Sequence, residues 1–156
     1  MTPLSAAEQR EGFQAALSGA LDDSFNMEVV QAVHEQLLDK IEQHKESKDP
    51  EPLTVSVQEV AAILKDCGVA DTQVAAFEAQ CGEQFGDGAV LNPENIIDSK
   101  HFEVKTSDAS VAIDPERSYI VETRIIDGRK YLLIPADEGV EVNGMAVGIA
   151  AADRRA

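Results

Sequence analysis

The chain has 156 residues, 44% of them apolar and 27% charged, with 13 basic against 29 acidic side chains and a net charge of −16. That length supports one compact domain or two small ones sharing a core, and the composition is that of a soluble globular protein. An acidic field opposes phosphate backbones and anionic lipid, which argues against nucleic-acid and membrane partners, and no apolar run approaches the ~18–20 residues needed to cross a bilayer.

The start, MTPLSAAEQREGF, lacks the basic-then-apolar pattern of a signal peptide. Cys67 and Cys81 are the only cysteines, too few for a secreted disulfide scaffold, so a cytoplasmic location is expected. With five Phe, two Tyr and no Trp, the core has to be built mainly from Val, Ile, Leu and Ala.

The first half reads as helix. Phe13, Leu17 and Leu21, with Ala16 and Ala20 beside them, form one stripe within Ser5–Leu21. Asp22-Asp23-Ser24 interrupts it, and Ser24 or Asn26 can cap a second helix marked by Val30, Val33, Leu37 and Ile41, ending near Lys45. The two stripes predict a helical hairpin. The polar stretch His44–Pro52, with Pro50 and Pro52, is a linker. Ser56-Val57-Gln58-Glu59 is a capping box opening a third helix that buries Val60, Ile63, Leu64 and Cys67 and stops at Gly68. Asp71 is placed to cap a fourth, carrying Val74, Phe77 and Cys81 and followed by Gly82; Asn92-Pro93-Glu94 then starts one short helical turn.

From His101 the apolar period changes from about 3.6 to 2. Phe102, Val104 and Thr106 alternate with Glu103 and Lys105, and Val111 and Ile113 alternate with Ser110 and Ala112. Tyr119–Ile126 and Arg129–Ile134 flank Asp127-Gly128, and Val140–Val142 and Met145–Val147 flank Asn143-Gly144. Both dipeptides suit the two-residue turn that needs positive φ at both central positions. The predicted fold is therefore α+β: about four N-terminal helices followed by a C-terminal antiparallel β-sheet of five or six strands built from hairpins. The predicted parts are a helical hairpin over 1–48, a second helical pair with its connector over 53–100, and an antiparallel meander over 101–150.

FEVKT, AIDPER, VETRIIDGRKYLLIPADEGVEVNG and VQEVAAILKDCGV resemble the bacterial family catalogued as domain of unknown function 4317. The resemblance is densest over 101–147 and thinner over the first helical hairpin. It implies that this chain corresponds to the C-terminal part of longer members or to a short variant of them. It brings no activity and no functional residues with it.

Motifs of chemistry are sparse. The third and fourth helices have the outline of a DNA-binding helix-turn-helix, but Asp71–Gln80 contains no Lys or Arg, so a structural hairpin is expected. His34-Glu35-Gln36-Leu37-Leu38 has Leu where a zinc protease needs its second His. His34 itself reads as a partly buried edge residue. Gly82–Gly88, GEQFGDG, lacks the Lys and Ser/Thr of a phosphate loop. The two cysteines precede helix ends, where a thiolate is disfavoured. No cofactor, metal or catalytic residue is nominated.

One surface remains. A two-residue turn at Asp127-Gly128 pairs Ile126 with Arg129, Arg124 with Tyr131 and Glu122 with Leu133 on one face of a hairpin. Ile125 with Lys130, Thr123 with Leu132 and Val121 with Ile134 form the other, more apolar face, which is expected to meet the core. Glu122, Arg124, Arg129 and Tyr131 make the candidate binding face, with Arg124 able to lie over the Tyr131 ring. The function expected from the sequence is a non-catalytic interaction or structural module that binds an unidentified protein or self-associates. The alternative is part of an enzyme with a site between the helices and the sheet.

Overall fold

The computed structural model describes residues 5–149. The chain forms two compact units, Met1–Tyr119 and Ile120–Ala156.

The first unit is helical at its centre. Helix α1 (Ala6–Leu21) opens on a capping box in which the Ser5 hydroxyl accepts from the Glu8 N–H and the Glu8 carboxylate accepts from the Ser5 N–H. A 3₁₀ turn, Asp22–Ser24, leads to α2 (Met27–Ser47), capped by Asn26, whose Oδ1 accepts from the Val29 N–H at 3.1 Å. Between the two candidate caps, Ser24 is spent in the turn and Asn26 takes the role. The expected stripes are the buried faces of both helices, with one exception. Val33, Leu37 and Ile41 are buried, whereas Val30 stays 37% exposed.

Helix α3 (Val57–Asp66) begins on the second capping box, Ser56 with Glu59. It ends at Gly68, whose φ of +86° reverses the chain. Cys67, expected in its buried face, is exposed; it is the C-cap, at the very end of the helix. Helix α4 (Asp71–Phe85) buries Val74, Phe77 and Cys81. Two boundaries differ from the sequence reading. Ala70 is the N-cap and makes no side-chain bond, so Asp71 lies within the first turn, where its charge still favours the helix dipole. Gly82 does not stop the helix, which runs on to Gly86 at φ +93°. The predicted turn at Asn92 is α5 (Pro93–Ile96), with the Asn92 side chain accepting from Glu94 N–H.

Strand β1 (Val55–Ser56) pairs antiparallel with β2 (Val90–Leu91), a bridge the sequence did not signal. These segments are too short for period-2 alternation to show, and their partners lie a helical pair apart. Val55 and Leu91 bury fully there and join one core with both helical pairs. The tightest packing is α1 on α4. Phe13 and Phe77 meet edge to face at 6.1 Å between ring centroids, the arrangement favoured by aromatic quadrupoles. Gly12 makes the approach possible, since a Cβ there would lie 2.9 Å from the Phe85 ring.

Strands β3 (Phe102–Lys105) and β4 (Ser110–Ile113) form a hairpin in the register Phe102 to Ile113 and Val104 to Val111. A second 3₁₀ segment, Pro115–Ile120, follows. Tyr119 and Ile120, expected at the start of a strand, belong to this segment instead. Asp114 nucleates it: its side chain accepts from Glu116 N–H and its carbonyl from Arg117 N–H. Pro115 then fixes φ at a helix-compatible value.

The second unit contains β5 (Glu122–Ile126) with β6 (Arg129–Leu133), and β7 (Val140–Val142) with β8 (Met145–Val147). Both turns have the predicted geometry, with φ of +51° and +79° at Asp127-Gly128 and +51° and +82° at Asn143-Gly144. The fold is thus α+β with helices first and antiparallel hairpins after. Among the described residues, the strands stay as separate two-stranded ladders and do not merge into one sheet of five or six.

Truncating Phe77 to Ala should cost about 3–5 kcal/mol of unfolding free energy, the range for an aromatic ring removed from a packed core. Asn26→Ala should cost about 1 kcal/mol through its lost cap bond. Urea denaturation followed by circular dichroism at 222 nm reads both, and equal losses would mean that Phe77 is not central to the core.

Candidate interaction surface

The β5–β6 ladder has the register expected from its turn: Glu122 opposite Leu133, Arg124 opposite Tyr131, and Ile126 opposite Arg129. Glu122, Arg124, Arg129 and Tyr131 therefore share one face, and all four are exposed. The contacts within that face differ from expectation. Arg124 does not lie over Tyr131. Its Nη2 donates to Glu122 Oε1 at 3.4 Å, two residues back along the same strand. The nearby carboxylate outcompetes the ring face for the guanidinium. Both partners are about 60% exposed, so water screens the pair and it contributes little stability. A cation–ring contact does occur elsewhere, with Arg117 6.0 Å from the centre of Tyr119.

The opposite face was expected to meet the core; Val121 is buried, but most of the face near the turn is not. Ile125 is 72% exposed, and Thr123 and Lys130 are exposed beside it. Leu132 is half-buried. The Val121–Ile134 pair lies beyond the ladder, which ends at Glu122 and Leu133. A two-stranded ladder with no third strand has little with which to cover a face, whatever its alternation. Arg129 and Lys130, next to the turn, have no ion-pair partner among the described residues.

The second ladder is more one-sided. Its register places Val140 opposite Val147 and Val142 opposite Met145 on one face, with Glu141 and Ala146 on the other. Val142, Met145 and Val147 are 49%, 62% and 41% exposed. This hairpin is amphipathic, and its apolar side is in water.

The helical unit holds a different feature, an open groove of about 620 Å³ between α1, the start of α2 and the α5–β3 connection. His34 reaches its wall. The ring is only 5% exposed, more deeply buried than its place at the edge of the α2 stripe implied. Its Nε2 lies 3.1 Å from the Pro115 carbonyl and it packs 4.9 Å from the Phe102 ring. One turn earlier, Gln31 Nε2 donates to the Ser118 carbonyl at 2.8 Å. Together these side chains fasten the Pro115–Ile120 segment to α2. Burial holds the His34 pKa below its usual 6.5, against opposing pulls from the Pro115 carbonyl, Asp98 and Glu35.

At the groove's rim His101 Nδ1 stands 3.1 Å from Asp98 Oδ2. Burial pushes the Asp98 carboxyl up, but the Lys100 and His101 N–H groups and the His101 ring outweigh it and bring the pKa below the usual range. The pair is an exposed i, i+3 contact, and the ordinary reading of such a pair is local stabilisation. Burial raises both thiols, Cys81 to about 11, so neither is a ready nucleophile at neutral pH. Among the described residues, no three His, Cys, Asp or Glu side chains stand together as metal ligands do, and no helix is long and apolar enough to cross a membrane.

Sequence reasoning located the β5–β6 face and its register but missed the groove and the His34–Gln31 fastening. The signal available for the groove was Val30, an apolar residue flanking the α2 stripe.

A family model described as Domain of unknown function (DUF4317) matches residues 1–145. The match takes in α1 and α2, where the resemblance is thinnest, and is not confined to the C-terminal region. No curated protein and no solved structure matches the chain.

Because the folded His34 pKa lies below its unfolded value, the neutral ring is the form the fold favours. Its contribution is complete above about pH 6.5 and is lost as pH falls through the folded pKa. The urea midpoint should therefore drop between pH 7.5 and 5.5, and His34→Gln should flatten that slope. Glu42 works in the opposite sense, since burial and the neighbouring Glu116 raise its pKa, so the comparison of variant with parent isolates the histidine. An identical slope in the two proteins would remove His34 from the account.

Proposed function

With the chain belonging to the DUF4317 family, we propose that it is a non-catalytic interaction module that recognises a protein partner through its C-terminal hairpins. The observation that carries this reading is the exposure of apolar side chains on ladders of only two strands, Ile125 at 72% and Met145 at 62%. An isolated two-stranded hairpin is marginal in water. A contiguous apolar face left uncovered on such a hairpin is what an interaction surface looks like before its partner arrives.

The β5–β6 face supplies the selectivity. Tyr131 is 41% exposed opposite Arg124, and Arg129 and Lys130 near the turn have no ion-pair partner among the described residues. Tyrosine and arginine are the residues most enriched where binding energy concentrates. Cations on an otherwise acidic chain favour a partner carrying acidic groups, which the remainder of the −16 surface would repel.

Self-association is a second reading, favoured by the wholly apolar Val140, Val142, Met145, Val147 face of β7–β8. Two copies burying that face against each other would avoid most of the charge, which is concentrated in residues 1–101.

A photo-crosslinking phenylalanine analogue at Tyr131 should trap a discrete partner in cells of the source organism, and Arg124→Glu with Arg129→Glu should remove that product while leaving the circular dichroism unchanged. Crosslinking to a second copy, together with a dimer mass by light scattering, would select self-association. A product that survives the double charge reversal would exclude this face.

A further inference from the structure

The α1 face lining the groove carries Arg10, Phe13, Gln14 and Leu17. Their i, i+3, i+4, i+7 spacing sets them in one row along the helix. Seven residues of helix rise about 10 Å, so the row has an exposed guanidinium at one end, while Phe13 and Leu17 are buried beneath the groove's floor. Phe25 and Val30 continue the apolar lining from the start of α2, and Phe102 faces them from β3. Val30 is the one member of the α2 stripe left uncovered, at 37%, and it lies in this groove. The groove's volume of about 620 Å³ falls within the range of small-molecule sites.

Charge distinguishes one end from the other. Lys105 pairs with Glu103 at 3.7 Å, and His101 with Asp98 at 3.1 Å. Arg10 has no ion-pair partner among the described residues. The groove thus offers one uncompensated cation beside an apolar trough. We infer that this groove is a binding site for a small amphipathic carboxylate, its apolar chain lying along Phe25, Met27, Val30 and Val104, which keep surface open to the groove, and its carboxylate held by the Arg10 guanidinium. Charge complementarity selects the carboxylate, since an anion gains a charge-assisted, two-pronged partner there. A neutral chain gains only the trough, and an ammonium is repelled by Arg10. The site lies wholly within the helical unit and does not depend on the hairpin reading above.

The test is isothermal titration of the full chain with decanoate, decanol and decyltrimethylammonium. Decanoate should bind more tightly than either analogue. Arg10→Gln should weaken decanoate about tenfold, the cost of one charged contact, and leave decanol unchanged. Val30→Trp should abolish binding of both by filling the trough, with its fold checked by circular dichroism. Methyl chemical shifts of Leu17 and Val30 in the unaltered protein give a second reading that needs no variant: decanoate should move both. No decanoate binding, equal affinity in Arg10→Gln, tighter binding of the ammonium, or unmoved methyl signals would each overturn the proposal.

Discussion

The packing of α1 against α4 is the constraint from which the helical unit's other features follow. Phe13 and Phe77 are both essentially removed from water, and in a chain without Trp they are the two largest fully buried side chains. Their edge-to-face contact needs the two helices close, and Gly12 permits that by leaving room for Phe85. With one flank of α1 committed to α4, the neighbouring flank that carries Arg10 and Leu17 is turned toward the start of α2 and the β3 segment. Leu17 is nonetheless buried, while Arg10 and Val30 stay exposed. The groove is the open space left beside that covered stripe.

A second constraint is the backbone of Pro115–Ile120. A 3₁₀ segment leaves carbonyls without helical partners, and buried carbonyls must be satisfied. Gln31 and His34 do this from α2, one turn apart. Both are polar residues that a stripe-based reading assigns to a helix edge, and both are at least nine-tenths buried. Their positions follow from a carbonyl more than eighty residues distant. The Pro115–Ile120 segment ends at the boundary of the C-terminal unit, so the same two side chains fix the point at which the chain leaves the helical unit.

The hairpins of that second unit obey local rules almost completely. Positive φ at Asp127-Gly128 and Asn143-Gly144 sets the reversal, and the two-residue loop sets the register. Nothing local, however, decides what a strand face meets. Period-2 alternation identifies two faces and says that one is more apolar; it cannot say that a covering layer exists. This is why Ile125, placed on the more apolar face, stands in water. The same gap separates the predicted Arg124–Tyr131 stacking from the observed Arg124–Glu122 contact. Register made both available, and the stronger electrostatic partner was taken.

Local sequence was enough for the helix stripes, the Ser56 capping box, the turn at Asn92, the two Asx-Gly hairpin turns with the β5–β6 register, and the family to which the chain belongs. Each of these is written in residues a few positions apart, through caps, turn chemistry or apolar period. Tertiary structure alone decided that Val55 and Leu91 pair, that His34 and Gln31 hold a distant turn, that Val30 borders a groove and that the ladders stay separate. Those outcomes depend on which surfaces meet across long sequence separations and on which remain without a cover. No pattern of neighbouring residues encodes either.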